Sequence, residues 1–99
     1  KMSDLLNYKS TIPDPTLLLP TGIKLKIAGW NCEIVGYNQD NSGLYPASKY
    51  PYQIKRKIDG YTNVYDKGTF TIIPEDIQKV KDHFNNELPE DIKEIINRS

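Results

Sequence analysis

Hydrophobic and polar residues alternate through the middle of the chain. In GIKLKI the apolar side chains of Ile23, Leu25 and Ile27 are separated by lysines, which is the period-two pattern of a strand with one buried face. CEIVGY, at residues 32–37, is rich in residues that favour strands. The pattern therefore predicts a hairpin of two strands joined by a turn at residues 28–31.

The alternation stops in a long polar segment and then resumes. NQDNSGLYPAS, residues 38–48, is a cluster of turn formers and predicts an exposed loop. After Pro51 the side chains of Tyr52, Ile54 and Ile58 share one face of a third predicted strand, and its lysines share the other. The stretch KYPYQIKRK is thus explained as a half-buried strand.

Two more short strands complete the predicted sheet. Asp59-Gly60 is a hairpin signal, and strands are expected at residues 63–66 and 69–73. Five short strands without an intervening helix predict an antiparallel sheet closed into a small barrel or sandwich. Its expected core contains Ile23, Leu25, Ile27, Ile34, Ile54 and Ile58.

The last quarter of the chain changes to helical spacing. Two short helices are predicted near residues 75–85 and 90–97, each opening with Pro-Glu-Asp, which suits the first turn of a helix. They are expected to pack on the sheet through Ile77, Val80, Phe84, Leu88, Ile92 and Ile95. The predicted class is α+β, mainly β, with a barrel at 22–74 and a helical tail at 75–99.

The first residues have no sustained periodicity. Residues 1–21 contain three prolines, which predicts an extended arm rather than a helix. KMSDLLNY lacks the basic and apolar segments of a secretory leader, and no apolar run approaches the roughly 18 residues that span a bilayer. Cys32 is the only cysteine, which excludes an intramolecular disulfide and favours a reducing, cytoplasmic setting.

The order of the predicted elements resembles a known family. The strands GIKLKI and CEIVGY, a long loop, YPYQIKR, a hairpin and a closing TIIPEDIQKV resemble the small SH3-like barrels, a superfamily of five-stranded domains, over residues 22–80. Among these barrels, YP before an alternating strand and an acidic residue before Ile-x-x-Val are similar to photosystem I subunit IV and to the variable chain of ferredoxin–thioredoxin reductase. The resemblance implies a fold and transfers no partner.

Charge is distributed unevenly although the net charge is zero. Residues 24–58 contain six basic and two acidic residues, whereas residues 59–99 contain five basic and nine acidic residues. This asymmetry indicates either a charged partner or attraction between the two parts of the fold.

Enzymatic chemistry has few candidates in this sequence. The single histidine, His83, is expected on the polar side of a helix, and Cys32 has no second thiol to pair with. The carboxylate pairs Glu75-Asp76 and Glu90-Asp91 are explained by their positions at helix starts. No phosphate-binding glycine loop or paired-histidine motif is present, so the sequence predicts a non-enzyme without metal or cofactor.

Tyrosines are abundant around the long loop. The chain has seven tyrosines and one tryptophan, residue types that are enriched where proteins bind one another. The main hypothesis is a non-catalytic interaction module, or a small accessory or inhibitor subunit, that binds a partner protein through the loop and its aromatic neighbours, Trp30, Tyr37, Tyr45 and Tyr50.

The alternative hypothesis is nucleic-acid binding by a basic strand face. Parity directs four lysines to one outer face of the sheet, near tyrosines that can stack on bases: Lys24, Lys26, Lys55 and Lys57. Salt distinguishes the two hypotheses, since phosphate contacts weaken steeply as salt rises and an aromatic-centred interface weakens little.

Overall fold

The computed structural model describes residues 12–99 of the chain. A 3-10 turn at Pro15–Leu17 is followed by five strands and two helices: β1 (Lys24–Ile27), β2 (Trp30–Tyr37), β3 (Tyr52–Arg56), β4 (Thr62–Tyr65), β5 (Thr71–Ile72), α1 (Pro74–His83) and α2 (Glu90–Arg98). The predicted α+β class, mainly β with five strands and two C-terminal helices, is confirmed. Residues 1–11 of the predicted extended arm lie outside the described residues.

The five strands form one antiparallel sheet in the order β4-β3-β2-β1-β5. The predicted closure into a barrel is wrong, because β4 and β5 stand at opposite edges of the described sheet. β5 is only two residues long and pairs with β1 alone, at Leu25–Ile72 and Lys26–Thr71. The other edge of β5 pairs with no strand of the described sheet.

The first hairpin is tighter than the sequence predicted. Ala28 and Gly29 both have positive φ, 50° and 86°, which is the backbone of a two-residue hairpin turn that follows the right-handed twist of the strands. β1 and β2 therefore pair up to Ile27–Trp30. Trp30 belongs to β2, and the predicted turn at residues 28–31 was too long by two residues.

One face of the sheet builds the core. One cluster of buried side chains forms this core, and it includes two leucines of the N-terminal segment and three residues of the helices. Its members are Leu18, Leu19, Ile23, Leu25, Cys32, Ile34, Tyr52, Ile54, Phe70, Ile72, Val80, Ile92 and Ile95. Of the predicted core residues, Ile27 is only half-buried. Ile58 was wrong: it is 74% exposed, because β3 ends at Arg56 and the strand parity no longer applies beyond that residue.

Both helices pack on this face, as predicted. Ile77, Phe84 and Leu88 lie against the core beside the three fully buried helix residues. α1 starts at Pro74 and ends earlier than expected, since Asn85 and Asn86 have φ values of 51° and 63°, which stop a helix. No helix among residues 12–99 has the length and apolar character needed to cross a bilayer.

A buried carboxylate ties α1 to the sheet. Asp76 is 2% exposed, and its Oδ2 accepts a hydrogen bond of 2.8 Å from the backbone N–H of Lys24 in β1. The ammonium group of Lys79 lies 3.4 Å from Oδ1 of the same carboxylate. Asp76 is therefore more than a helix-start charge: it joins two elements that are 52 residues apart.

At each edge of the described sheet one backbone donor is bonded to a side chain. At β5, the backbone N–H of Ile72 donates to Oγ of Ser99, 2.9 Å away. At β4, the N–H of Val64 is taken by the side-chain oxygen of Asn63 at 2.8 Å. Donors occupied in this way make an edge a poorer template for another strand.

Candidate binding surfaces

Tyr37, one of the predicted partner-binding residues, is used within the fold. Its hydroxyl donates a 2.7 Å hydrogen bond to the carbonyl of Leu19, and the hydroxyl of Tyr52 accepts a 3.0 Å bond from the N–H of the same residue. The two rings lie 6.3 Å apart. Burial raises the pKa of both hydroxyls above the ordinary tyrosine value. Together they hold the N-terminal segment on the sheet.

The loop after β2 is held closed at its base. Asn38 is 8% exposed, and its amide donates hydrogen bonds to the carbonyls of Tyr45, at 2.9 Å, and Tyr50, at 3.1 Å. Its side-chain oxygen accepts from the N–H of Asp40 at 3.0 Å. The backbone N–H of the fully buried Ala47 donates to the carbonyl of Asp40 at 2.9 Å. The loop thus has a defined internal structure.

Apolar groups project from this closed loop. Leu44 is 87% exposed and Tyr45 is 56% exposed, and the Tyr45 ring meets Tyr50 edge-on with centroids 5.2 Å apart. The ammonium group of Lys49 lies 5.7 Å from the Tyr50 centroid. We call Leu44, Tyr45 and Tyr50 the loop tip. The sequence analysis missed Leu44, although an apolar residue between Gly43 and Tyr45 in a turn-rich segment was a visible signal.

Trp30, the remaining predicted aromatic residue, lies at the other end of β2. An eight-residue strand spans about 23 Å, so Trp30 and the loop are well separated. The four predicted aromatic residues therefore do not form one surface. Trp30 is 46% exposed and has its own neighbours.

Those neighbours surround an arginine. The guanidinium carbon of Arg56 lies 5.2 Å from the Trp30 ring centroid and 5.5 Å from that of Tyr61. Asp59 fixes this guanidinium through hydrogen bonds of 3.1 Å and 2.5 Å. The bonds from Arg56 are the main cause that lowers the pKa of Asp59 to about 2. Trp30, Ile58 and Tyr61 form the turn-end patch, of which only Trp30 was predicted.

The four predicted lysines do share one exposed face, which we call the basic face. In the strand register Lys24 is opposite Glu33, and Glu33 is opposite Lys55, so the carboxylate lies between two lysines. In the next row Asn31 is opposite Lys26, and its carbonyl accepts a 2.8 Å hydrogen bond from the N–H of Lys57. A groove of about 400 Å³ runs between them, lined by Lys24, Leu25, Asn31, Cys32, Glu33, Lys55, Lys57 and Ile73.

Three other lysines in the described part of the chain, Lys67, Lys79 and Lys93, have carboxylate partners. Lys67 pairs with Asp91 at 2.7 Å, and Lys93 pairs with Glu90 at 3.2 Å. Among ion pairs between residues 12 and 99, none includes a lysine of the basic face. All four lysines of the basic face are exposed.

The residues weighed for catalysis are not brought together. Cys32 is buried in the core, and burial raises the pKa of its thiol. His83 is exposed on α1, where its ring meets Phe84 edge-on at 4.8 Å. The loop tip and the basic face are the exposed groups of predicted residues that remain to be considered.

Comparisons with protein families, with curated proteins and with solved structures find no match for this chain. Its function is therefore inferred from the described surfaces. The loop tip is apolar and projecting, whereas the basic face is charged and grooved. The loop tip and the basic face therefore differ in the chemistry that they offer to a ligand.

Proposed function

We propose that this protein is a non-catalytic protein-interaction module, an accessory or inhibitor subunit that binds a partner protein through the loop tip. The observation that supports this is a hydrogen-bonded loop that holds Leu44 and Tyr45 largely in water. Burying one such side chain contributes about 1.5–3 kcal/mol. A cytoplasmic setting belongs to the proposal, since the single cysteine is a buried thiol.

The loop is prepared for binding before any partner arrives. Association is weakened when loops and side chains must be ordered. Here Asn38 already joins the two ends of the loop, and the Tyr45–Tyr50 contact restricts both rings. Tyrosine anchors in such settings carry a large part of the binding energy.

The chemistry of the loop tip defines the partner. A leucine and a tyrosine that project side by side fit an apolar cleft on another protein. Lys49 beside Tyr50 favours a carboxylate at the rim of that cleft. We therefore propose a folded partner protein with an apolar cleft and an acidic rim.

The SH3-like resemblance over residues 22–80 also remains a proposal. It is supported by the five antiparallel strands and by the pairing of the first strand with the last, Leu25 with Ile72. The resemblance concerns the fold alone, so the partner is argued from the loop tip.

Two equally exposed tyrosines provide the test. Tyr45 is 56% exposed and Tyr61 is 57% exposed. Each is replaced in turn by photoreactive benzoylphenylalanine, a conservative exchange of one aromatic side chain for another, and the protein is irradiated in lysate of cells that produce it. We expect one cross-linked protein from position 45 and a much weaker yield of that species from position 61.

Competition by unlabelled protein tests whether the cross-link is specific to the loop tip. An excess of unlabelled native protein should remove the cross-linked species, whereas an excess of the Leu44→Ala, Tyr45→Ala double variant should not, because truncating a central anchor weakens binding by roughly 30-fold or more. Equal cross-linking from positions 45 and 61, or equal competition by the double variant, would contradict the proposed binding site.

A further inference from the structure

The basic face presents its lysines in two parallel columns. Lys24 and Lys26 are alternate residues of β1, about 6.7 Å apart along the strand. Lys55 lies in β3, and Lys57 follows two residues later with its backbone bonded to Asn31 of β2. Because β2 lies between β1 and β3, two strand spacings of about 4.8 Å separate the columns by roughly 10 Å. The four lysines thus project from a rectangle of about 7 by 10 Å.

Short polar side chains flank these columns. Lys26 is opposite Asn31 on one side and Thr71 on the other, and Lys55 is opposite Thr62. Amide and hydroxyl groups of this kind contact phosphate oxygens in complexes with nucleic acids. In the five described strands, no paired position on the lysine side holds an aromatic residue. The face therefore offers contacts to phosphates and no ring on which an unpaired base could stack.

The charges of the molecule are separated between the two sides of the sheet. The helical part, residues 74–99, contains seven acidic and four basic residues, and it packs on the core side. On the other side, four exposed lysines surround the single carboxylate of Glu33. A polyanion is therefore attracted to one side of the protein and repelled by the other, which orients its approach.

We infer that the basic face binds the sugar–phosphate backbone of duplex DNA without reading its sequence. A duplex presents two phosphate rows on either side of a groove that is about 6 or 12 Å wide. Two lysine columns roughly 10 Å apart suit such a pair of rows, whereas a single strand offers only one row. Glu33 lies between the columns and so faces the groove of the duplex. This surface is separate from the loop tip and does not depend on the proposed function.

The salt dependence of binding tests the inference on the intact chain. The probe is a short fluorescein-labelled DNA duplex of mixed sequence, measured by fluorescence anisotropy. With four phosphate contacts and a slope of about −0.9 per contact, raising the salt concentration fourfold from about 50 mM should weaken binding roughly 150-fold. One strand of the same duplex, with a slope of about −0.7 per contact, should bind about tenfold more weakly at the lower salt concentration.

Matched variants separate the basic face from the charge of the whole molecule. Lys24→Gln with Lys55→Gln removes one lysine from each column, and should weaken duplex binding at least about tenfold and lower the salt slope by about 1.8. The control, Lys81→Gln with Lys93→Gln, makes the same change of formal charge on the helices and should alter the affinity less than about twofold. Melting temperatures confirm that all variants are folded.

Two single substitutions sharpen the location of the site. Glu33→Gln removes the one carboxylate between the columns, and should tighten duplex binding about 1.5- to 5-fold, the effect of one exposed charge interaction. Trp30 is opposite Ile27 in the register, on the core side of the sheet. Trp30→Phe should therefore leave the affinity for the duplex unchanged.

Four outcomes would overturn the inference. One is binding of the single strand as tight as that of the duplex. Another is equal weakening by the two lysine pairs, which would indicate attraction to the whole molecule. The third is displacement of the duplex by an equal charge concentration of polyglutamate, which would assign the face to an acidic protein. The fourth is self-association that Lys24→Gln with Lys55→Gln abolishes, which would assign the face to the acidic helices of a second copy. Each result can occur whether or not position 45 cross-links to a partner, so the two proposals are tested separately.

Discussion

The two faces of the sheet are built from the same strands and have opposite chemistry. In β3, Ile54 is 1% exposed on the inner face, and the next residue, Lys55, is exposed on the outer face. In β1, Leu25 is fully buried between two exposed lysines. A single step along a strand therefore separates residues that stabilise the fold from residues available to a ligand. A substitution on the outer face therefore leaves the core contacts in place.

The inner face of the sheet also contains polar groups, so the two faces do not differ simply as apolar and polar. Asp76 is buried with two partners, and Tyr52 buries a hydroxyl that accepts from Leu19. Within residues 12–99 no buried side-chain nitrogen or oxygen is left without a hydrogen-bond partner. The inner face tolerates polar groups because each one is satisfied.

The largest effect is expected from truncating the inner face. Ile54→Ala should lower the free energy of unfolding by about 2–5 kcal/mol, since it removes buried methyl groups and leaves a cavity. The neighbouring outer-face change, Lys55→Ala, should alter it by less than about 0.5 kcal/mol. Urea denaturation of both variants measures the difference. Similar losses in the two variants would show that the faces are not distinct.

The next effect tests the buried carboxylate. Asp76→Ala removes the acceptor of the Lys24 N–H and the partner of Lys79, and should lower the free energy of unfolding by about 1.5–3 kcal/mol. Glu75→Ala, an exposed carboxylate one residue earlier, is the control and should stay within about 0.5 kcal/mol of the native protein. If both changes are mild, Asp76 acts only as a helix-start charge.

A smaller loss is expected from one hydroxyl. Tyr52→Phe leaves the buried N–H of Leu19 without its acceptor and should cost about 1–3 kcal/mol. Tyr37→Phe removes a less buried hydroxyl and should cost less, because water can reach the partner carbonyl of Leu19. Thermal unfolding of the two variants compares them. A reversed order would place the attachment of the N-terminal segment at Tyr37.

The smallest effect is a pH response at the turn-end patch. The pKa of Asp59 is lowered in the fold to about 2 from its ordinary 3.8. Its contribution is thus complete above 3.8 and is lost as the pH falls through about 2. Protonation releases Arg56 from Asp59, so the emission of Trp30 should change in this range while the core stays folded. Asp59→Asn should abolish the transition.

The elements of the fold could be predicted because their signals are local. Alternation of Ile, Leu and Lys located β1 and β3, and the change to helical spacing located α1 and α2. The same parity placed Lys24, Lys26 and Lys55 on one outer face, and Lys57, one residue beyond β3, lines the same groove. These features depend on neighbours two to four residues away, which the sequence displays directly.

Strand ends and sheet closure were decided by tertiary structure. Parity placed Ile58 inside, but β3 stops at Arg56, where the chain turns towards β4. Five strands predicted a barrel, but β5 forms only two pairs, both with β1. The end of a strand depends on how far its partner extends, and no local pattern encodes that length.

The role of each polar or aromatic side chain was also decided by the tertiary structure. The sequence predicted the same partner-binding role for Tyr37 and Tyr45. In the structure, the hydroxyl of Tyr37 donates a hydrogen bond to the carbonyl of Leu19, 18 residues away, whereas Tyr45 projects from a loop. Asp76 had the pattern of a helix start and meets Lys24, 52 residues away. A hydrogen bond requires two groups within about 3 Å. Only the folded chain decides which distant groups come that close, whereas periodicity determines the face of a residue as long as the residue lies within a strand or helix.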